Sequence, residues 1–414
     1  MFENLGIAPA DMLLPNCNLS KWSVIACDQY TAQADYWRRV DETVGDAPSS
    51  LRLILPEAYL HKQKIEDSLE TINSTMEKYL KSGLFYEQKN AMIYVERAMS
   101  DGSVRKGLVC KVDLEHYDFN PESKTMIRAT EKTVLERIPA RVKIREHAAL
   151  ELPHIMVLVN DGKRELLAPL AEKKETMEKL YGFTLMEGGG RIDGWRLDDA
   201  SVERLAEDLS YLKGEEELLF AVGDGNHSLA AAKTIYERDK ANTPEEEWAQ
   251  LPSRWVLAEI VSLEDPAVKF LPIHRIVFGV DFESMLAAFK EYYPDVIAGE
   301  GEGHTIRWCC KDETGVCTVP HPAHMLAVET LQSFLDDYVA KHGGTIDYIH
   351  DMEAVEEMSR QTKTVGFLLP EFPRETLFPY VAKCGALPRK TFSIGHSQDK
   401  RYYLEARALR SVEA

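Results

Sequence analysis

The chain is 414 residues long, with 44% hydrophobic and 28% charged residues and a formal net charge of −19. That length implies two or three packed subdomains rather than one core. So large an excess of carboxylates, with no dense Lys/Arg run against it, argues against DNA, RNA or anionic membrane surfaces as partners and leaves a small-molecule substrate as the expected one.

The opening residues Met1-Phe2-Glu3-Asn4 lack the basic flank and apolar core of a signal peptide. No apolar run reaches the ~18–20 residues needed to span a bilayer. The seven cysteines (Cys17, Cys27, Cys110, Cys309, Cys310, Cys317, Cys384) are odd in number and scattered. That suits reduced thiols and a cytoplasmic location.

In chain order, residues 22–27 read as a buried strand entering a helix near Asp28, with Asp28 as its N-cap. Residues 51–55 read as a second apolar strand. Ile65, Leu69, Ile72, Met76 and Leu80 recur every three to four positions, which predicts an amphipathic helix over 61–80. Two apolar runs, 92–95 and 107–112, flank Asp101-Gly102 and predict a hairpin. Residues 128–150 look helical with an interruption at Pro139. Residues 154–159 form a compact apolar strand, and a polar helix is expected from there to about 181. Gly188-Gly189-Gly190 reads as a hairpin or loop, since the spacing of a dinucleotide fingerprint is missing.

A helix over 201–212 leads to a strand over 217–222, a glycine-rich turn and an alanine-rich helix. The strand's unbroken apolar run predicts burial on both faces, hence a central place in its sheet. Strands follow at 255–261 and 269–278. Beyond about residue 280 come a helix near 285–289, a hairpin over 305–319, a helix over 326–338, a strand over 365–369 and a helix to about 381. Two last strands are expected near Phe392 and Tyr402. Helices and strands are mixed throughout, so the fold class is α+β, with a mixed sheet and packed helices. The divisions are expected at 1–190, 191–280 and 281–414.

The strongest chemical signal is Gly223-Asp224-Gly225-Asn226-His227-Ser228 between the 217–222 strand and the next helix. Gly223 and Gly225 permit a sharp turn and close approach of a ligand. Amides near Asn226, His227 and Ser228 should lack helical partners and suit a phosphate or carboxylate. Asp224 is a candidate Mg²⁺ ligand or proton acceptor, and His227 a candidate phosphate donor or base. Valine at Gly225 would put a β-branched side chain where close approach, and a positive φ, is needed and should abolish ligand binding, whereas His227→Ala should leave the fold intact and mainly lower turnover. The same residues fit a tight turn with Asn226 as N-cap and no ligand, and the pattern alone does not separate the two.

His274-Arg275 lies inside an apolar strand, where alternation should send one side chain inward. Glu131 and Thr133 fit a helix start. Lys390, after Pro388, fits a solvated loop. Cys309, Cys310, Cys317, His321 and His324 lack zinc-ligand spacing, because adjacent cysteines on a strand point to opposite faces, so no metal site is expected there.

Residues 219–232, Leu-Phe-Ala-Val-Gly-Asp-Gly-Asn-His-Ser-Leu-Ala-Ala-Ala, resemble the "DGHHR-Y-AA" segment of a bacterial and archaeal family labelled domain of unknown function (DUF) 1015. Lys111-Val112-Asp113-Leu114-Glu115-His116-Tyr117 is similar to its "DLEDY" strand end. Residues 128–133 are similar to its "HE-T" segment, 271–277 to its "LPYHRVV" and 387–392 to its "MPPKSTFF". The resemblance covers nearly the whole chain and implies no established activity. The central turn in turn resembles that of the ParB/sulfiredoxin superfamily, which includes free serine kinases, sulfiredoxin and CTP-binding ParB proteins. This resemblance implies a strand-turn-helix unit holding nucleotide phosphates. One departure matters: Ser228 stands where the superfamily usually has Arg, which removes a bidentate phosphate partner.

What the resemblance implies is nucleotide-dependent phosphoryl transfer to or from a hydroxylated metabolite such as serine, with ADP or ATP and Mg²⁺ as cofactors. Gly223, Gly225, Asn226, Ser228, Arg275 and Lys390 would then bind the cofactor, and Asp28, Asp224 and His227 would be catalytic. Glu131, Thr133 and His274 are further candidates. A nucleotide- or phosphometabolite-binding regulator without catalysis is the alternative, and turnover separates the two.

Overall fold

The computed structural model describes residues 1–2, 4–60, 65–162, 165–215 and 217–410. Two units divide the chain. The first takes Met1–Val268, Glu375–Leu387 and Ile394–Ala414; the second takes Lys269–Arg374 and Pro388–Ser393.

The first unit is built on a ten-stranded mixed sheet. In chain order its strands are β1 (Ile7–Ala8), β2 (Ile93–Ala98), β3 (Val104–Asp113), β4 (Tyr117–Asp118), β5 (Ile127–Ala129), β6 (Met156–Val159), β7 (Glu178–Thr184), β8 (Arg191–Arg196), β9 (Phe220–Asp224) and β10 (Trp255–Ser262). Across the sheet the order is β7-β8-β2-β3-β10-β6-β9-β5-β4, with β1 beside β3. The β10/β6, β9/β5 and β5/β4 pairs are parallel. The expected α+β class with a mixed sheet is therefore what the chain adopts.

Strand alternation gives the sheet a core on each face. Leu108, Cys110, Val112, Val157, Val159, Phe220, Val222, Ala258 and Ile260 point one way, against Leu205 and Leu209 of the Asp199–Glu215 helix and Leu229, Ala232 and Tyr236 of the Asn226–Ala241 helix. Ile93, Val95, Val109 and Leu257 point the other way, against Trp22, Val24, Trp37, Val40, Ile72, Met76 and Tyr402. Ala230 and Ala231 are small enough for the Asn226–Ala241 helix to seat directly on Ile138. The strand before the turn is interior to the sheet, flanked by β6 and β5.

Several expectations change. Residues 22–27 form no ladder strand; Leu19–Trp22 is a short helix, and 24–27 is extended with one bridge, Ile25 to Tyr402. Asp28 caps nothing, because the next helix, Ala34–Val44, starts behind Gln33. Residues 50–53 form a 3₁₀ turn capped by the Ser49 hydroxyl rather than a strand. The helix expected over 61–80 is Ile65–Lys81, and residues 61–64 lie outside the described residues. The helix expected over 128–150 is only Ile138–Arg145, with Pro139 in its first turn, where a missing N–H costs nothing. Upstream of it, residues 127–129 join β9 as a parallel strand. The polar helix expected to about 181 stops at Lys173, and Glu178–Thr184 pairs with β8 around the glycine run. Near Tyr402 there is the isolated bridge and no strand.

The second unit carries a six-stranded antiparallel sheet in the order Ile297–Ala298, Glu313–Val319, His304–Cys310, Thr364–Leu368, His274–Phe278, Thr345–Ile349. Helices Phe282–Tyr292 and Ala327–His342 meet through Phe289 and Phe334, edge to face at 4.8 Å. No helix among the described residues is long and apolar enough to cross a membrane.

Candidate functional site

The glycine turn does more than reverse the chain. Pairing of β9 with β6 shifts register between Val222 and Asp224, so Gly223 is the extra residue of a bulge, which re-aims Asp224. A side chain at Gly223 would come within 2.9 Å of Ile394 Cδ1 and 3.1 Å of Leu158 Cγ. Gly225 has φ +84° and is itself the helix N-cap, which corrects the expectation of Asn226 there. Asn226 is instead the first helical residue. The Gly225 carbonyl accepts from Ser228 N and Leu229 N, while the amides of Asn226 and His227 precede any intrahelical acceptor. A Cβ on Gly225 would meet Ile155 Cα at 3.1 Å in a backbone conformation that disfavours side chains. Valine there would strain the turn itself, so a Gly225→Val variant reports on ligand binding only where its folding is established separately.

Around this turn the fold gathers residues from five distant stretches. Residues 24–26 run beside 401–403, with Ala26 N donating to Arg401 O at 3.1 Å and Tyr403 N to Val24 O at 2.9 Å. That contact sets Asp28 and Tyr403 on one side. His154, one residue ahead of Ile155 and β6, bonds Ser228 Oγ through Nε2 at 2.9 Å and Tyr403 Oη through Nδ1 at 3.2 Å. Lys400 is 7% exposed, and its Nζ sits 3.2 Å from Asp224 Oδ2 while donating to Ile394 O at 2.9 Å. Asp224 Oδ1 accepts from Gly225 N at 2.9 Å. Arg141, on the Ile138–Arg145 helix, pairs with Glu57, whose own N donates to Cys27 O at 2.8 Å.

Most charges here are thus matched, and Asp28 is the exception. Its one side-chain hydrogen bond among the described residues comes from Gln29 Nε2, 3.0 Å from Oδ1. Burial pushes its carboxyl up, but the pull of His154, exerted in acid where the ring takes a proton, together with the Gln29 bond, Lys400 and Arg141, holds it below its ordinary range. Burial also pulls the His154 imidazole down, against the opposing pull of Asp28 and Asp224, so the ring is neutral at pH 7. Burial first, then Asp28, drives the Cys27 thiol up to about 12, which makes it inert as a nucleophile.

His154 sets a pH dependence. The unfolded ring takes a proton near 6.5, and the folded one only at lower pH. Its contribution to stability is complete above that value and drains as pH falls toward the folded one. The melting-temperature deficit of His154→Gln relative to the parent should therefore shrink between pH 7.5 and pH 5, as read by thermal unfolding. A deficit that widens toward acid would mean that the folded ring holds its proton more tightly, and the assignment would be wrong.

His227 Nε2 accepts from Val134 N at 3.2 Å, which places the neutral ring's proton on Nδ1 and makes it a donor there. Thr130 Oγ1 donates to Val222 O at 2.6 Å and ties the 130–134 stretch to the turn. Glu131 bridges Leu387 and starts no helix. Asn226 Oδ1 and Thr133 Oγ1 are buried without a hydrogen-bond partner among the described residues. Each such orphan costs roughly 1–3 kcal/mol unless a ligand or water meets it. Both adjoin His227, one through the chain and the other through Val134.

The first unit thus brings together Asp28, Asp224, His227, Ser228 and the two glycines. His274, Arg275 and Lys390 belong to the second unit. There both members of the His274-Arg275 pair are buried, at 4% and 0% exposure, rather than one. His274 Nδ1 accepts from Leu369 N, and Arg275 Nη1 donates to the Lys390 carbonyl at 2.9 Å, where Lys390 has φ +60°. Among the described residues no cluster of three or more His, Cys, Asp or Glu suits a metal ion. Sequence reading missed His154, Lys400, Tyr403, Arg141 and Glu57. None stands in a spaced motif, and a lone His or Lys carries no signal of its own.

A family model described as "Protein of unknown function (DUF1015)" matches residues 7–364. No curated protein matches. Among solved structures, a free serine kinase variant in complex with AMP is similar at 11% identity and a TM-score of 0.41, over 73% of this chain and 92% of that one. A conserved hypothetical protein from Pyrococcus furiosus is similar at 10% identity and a TM-score of 0.36, over 72% and 90%. SbnI with a C-terminal truncation, from Staphylococcus aureus, is similar at 11% identity and a TM-score of 0.38, over 73% and 87%. At these identities and scores the three structures transfer no residue role to this chain.

Proposed function

The chain belongs to the DUF1015 family, and we propose that it is a small-molecule phosphotransferase, moving a phosphoryl group between an adenine nucleotide and a hydroxylated metabolite. The observation that carries this reading is Asp28: a half-buried carboxylate, held ionised and largely uncommitted, in the electrostatic neighbourhood of Lys400, His154 and the Gly225 turn. Phosphoryl transfer asks for just those parts: positioned phosphates, neutralised charge and a base for the attacking hydroxyl.

In this reading the first turn of the Asn226–Ala241 helix receives a phosphate on its outward amides, with the helix dipole behind them. The orphaned Asn226 and Thr133 atoms fit such a ligand, since Thr133 has a hydroxyl to donate and Asn226 presents an N–H₂ if its amide is turned over. Lys400 offsets the added negative charge. Asp28 takes the proton as the metabolite's oxygen attacks phosphorus and the bond from phosphorus to the nucleotide oxygen breaks. Mg²⁺ carried on the phosphates would find Asp224 as a carboxylate ligand and would supply charge neutralisation, leaving Asp28 as the base. Serine is the first acceptor to test. The proposal draws on the first unit alone.

The test is calorimetric titration of ADP and ATP, followed by mass-spectrometric search for phosphorylated product with serine and a panel of hydroxylated metabolites. Binding of one nucleotide together with a phosphorylated product is expected. Nucleotide binding without any product would favour a regulator, and release of inorganic phosphate from a phosphorylated acid without nucleotide would favour a hydrolase.

A further inference from the structure

The hydrogen bonds around His154 determine which way each proton points, and the outcome assigns a role to two residues. Tyr403 is 2% exposed, so its hydroxyl proton must be met inside the protein. Its oxygen already accepts from Cys27 N at 3.3 Å. Two groups stand near enough to take its proton: His154 Nδ1 at 3.2 Å and the Cys27 thiol. A thiol sulfur is a weak acceptor and an imidazole nitrogen a good one. Tyr403 therefore donates to Nδ1. A neutral ring with Nδ1 accepting carries its proton on Nε2. That proton faces Ser228 Oγ, 2.9 Å away. Ser228 must then accept from the ring, and its own O–H is turned away from it. No other side-chain partner of that hydroxyl exists among the described residues, and Ser228 is only half-buried, on the first turn of the helix behind Gly225.

We propose that Tyr403 is a positioning residue that fixes His154 as its Nε2–H tautomer, so that Ser228 accepts from the ring and presents its hydroxyl proton to a phosphate oxygen bound at the Gly225 turn. Ser228 is then a ligand-contacting donor and not a nucleophile activated by His154, because the ring offers it a proton and no lone pair. A nucleophilic serine would need the opposite tautomer, with a lone pair on Nε2. A hydroxyl and a helix start thereby take over part of what a guanidinium would otherwise supply. The inference about the ligand rests on the functional reading above; the inference about the proton does not.

The experiment uses the full chain labelled with ¹⁵N-histidine and long-range ¹H–¹⁵N correlation spectra, with His154→Gln to assign the ring. At pH 7.5 the parent should show the Nε2–H pattern for His154, and Tyr403→Phe should convert it to a mixture of tautomers. An Nδ1–H pattern in the parent, or an unchanged tautomer in folded Tyr403→Phe, overturns the relay. In parallel, ADP is titrated into parent, Ser228→Ala, Tyr403→Phe and the double variant. Ser228→Ala should weaken ADP by about 10- to 100-fold, the worth of one hydrogen bond to a charged oxygen, and Tyr403→Phe by a smaller factor, with the double variant no weaker than Ser228→Ala alone. Ser228→Ala binding ADP as the parent does overturns the donor role. A parent that does not bind ADP overturns the functional reading and the ligand half of this inference, while the tautomer pattern still reads out by itself.

Discussion

Asp28→Asn is expected to reduce turnover by about 10²- to 10⁴-fold, the usual contribution of a positioned general base. The substitution keeps the shape and the contact with Gln29, since the amide oxygen can accept from Gln29 Nε2 as the carboxylate does. It removes only the charge and the proton affinity. Nucleotide affinity should hold or improve slightly, because one negative charge leaves the neighbourhood of the phosphates. The measurement is kcat with the best metabolite found, beside calorimetric ADP affinity, with near-ultraviolet circular dichroism to establish folding. A loss of less than about 10-fold in kcat would remove Asp28 from the chemistry and leave it as an electrostatic neighbour of His154. The parent's rate should stay flat as pH falls through 6 as far as Asp28 is concerned, because its carboxyl is held below the ordinary range. An acid limb arising above that range would belong to His154 or another group.

The second large effect concerns the fold. Arg401 is 2% exposed, with Nε 3.0 Å from Glu259 Oε2 and Nη2 2.7 Å from Glu405 Oε2. Glu259 and Glu405 are equally buried, at 2% and 0%. Tyr181 donates to Glu405 Oε1 at 2.6 Å, and Arg105 lies 3.5 Å from Glu259 Oε1. Arg401→Met leaves two buried carboxylates with one partner each. Removing one member of a buried ion pair costs about 3–5 kcal/mol, because the survivor stays desolvated. Urea unfolding should show a loss of that size, with Arg401→Lys recovering part of it through charge alone. A loss under about 1 kcal/mol, the worth of an exposed pair, would mean that water reaches the network. Since Arg401 neighbours Lys400 and Tyr402-Tyr403 in sequence, the same variant should also loosen the site.

Much of this architecture could be read from local pattern. The hairpin of β2 and β3 follows from two alternating runs around Asp101-Gly102, and the amphipathic helix at Ile65–Lys81 from its apolar period. Two of the misreadings, helices expected where strands form, share one cause. Residues 127–129 and 178–184 have a composition that tolerates a helix, yet each is captured by a partner strand, β9 in one case and β8 in the other. In the first case the partner is distant and no short window of sequence contains both strands; in the second it is the next strand across the Gly188-Gly189-Gly190 turn, and pairing outweighed local preference. The site divides in the same way. The glycine turn is contiguous and legible, down to the positive φ at Gly225. His154 and Tyr403 are 249 residues apart and meet only because residues 401–403 run beside 24–26. From its own residues Asp28 reads as a cap, which it does not make, and only the resemblance names it as a catalytic candidate. Its place beside His154, Lys400 and Arg141, with Gln29 as its one side-chain hydrogen-bond partner among the described residues, is visible only in three dimensions.

The same long-range stitching bears on how the protein is made. Trp22 Nε1 donates to Leu404 O, and Leu13 exchanges backbone hydrogen bonds with Ala406. Glu259 in β10 and Trp22 on the Leu19–Trp22 helix both wait for residues that the ribosome adds much later. At about 5–20 residues per second, the 382 residues between Trp22 and Leu404 take roughly 20–80 s to translate. For that interval the nascent chain carries an open seam: an indole without its acceptor, a buried-to-be glutamate without its arginine, and one face of the sheet uncovered along the groove that residues 400–407 will fill. Closure waits for residues 400–407, so a chain cut just before them lacks the clasp that shuts this unit, and such a product is expected to go to chaperones and proteases rather than to keep residual activity.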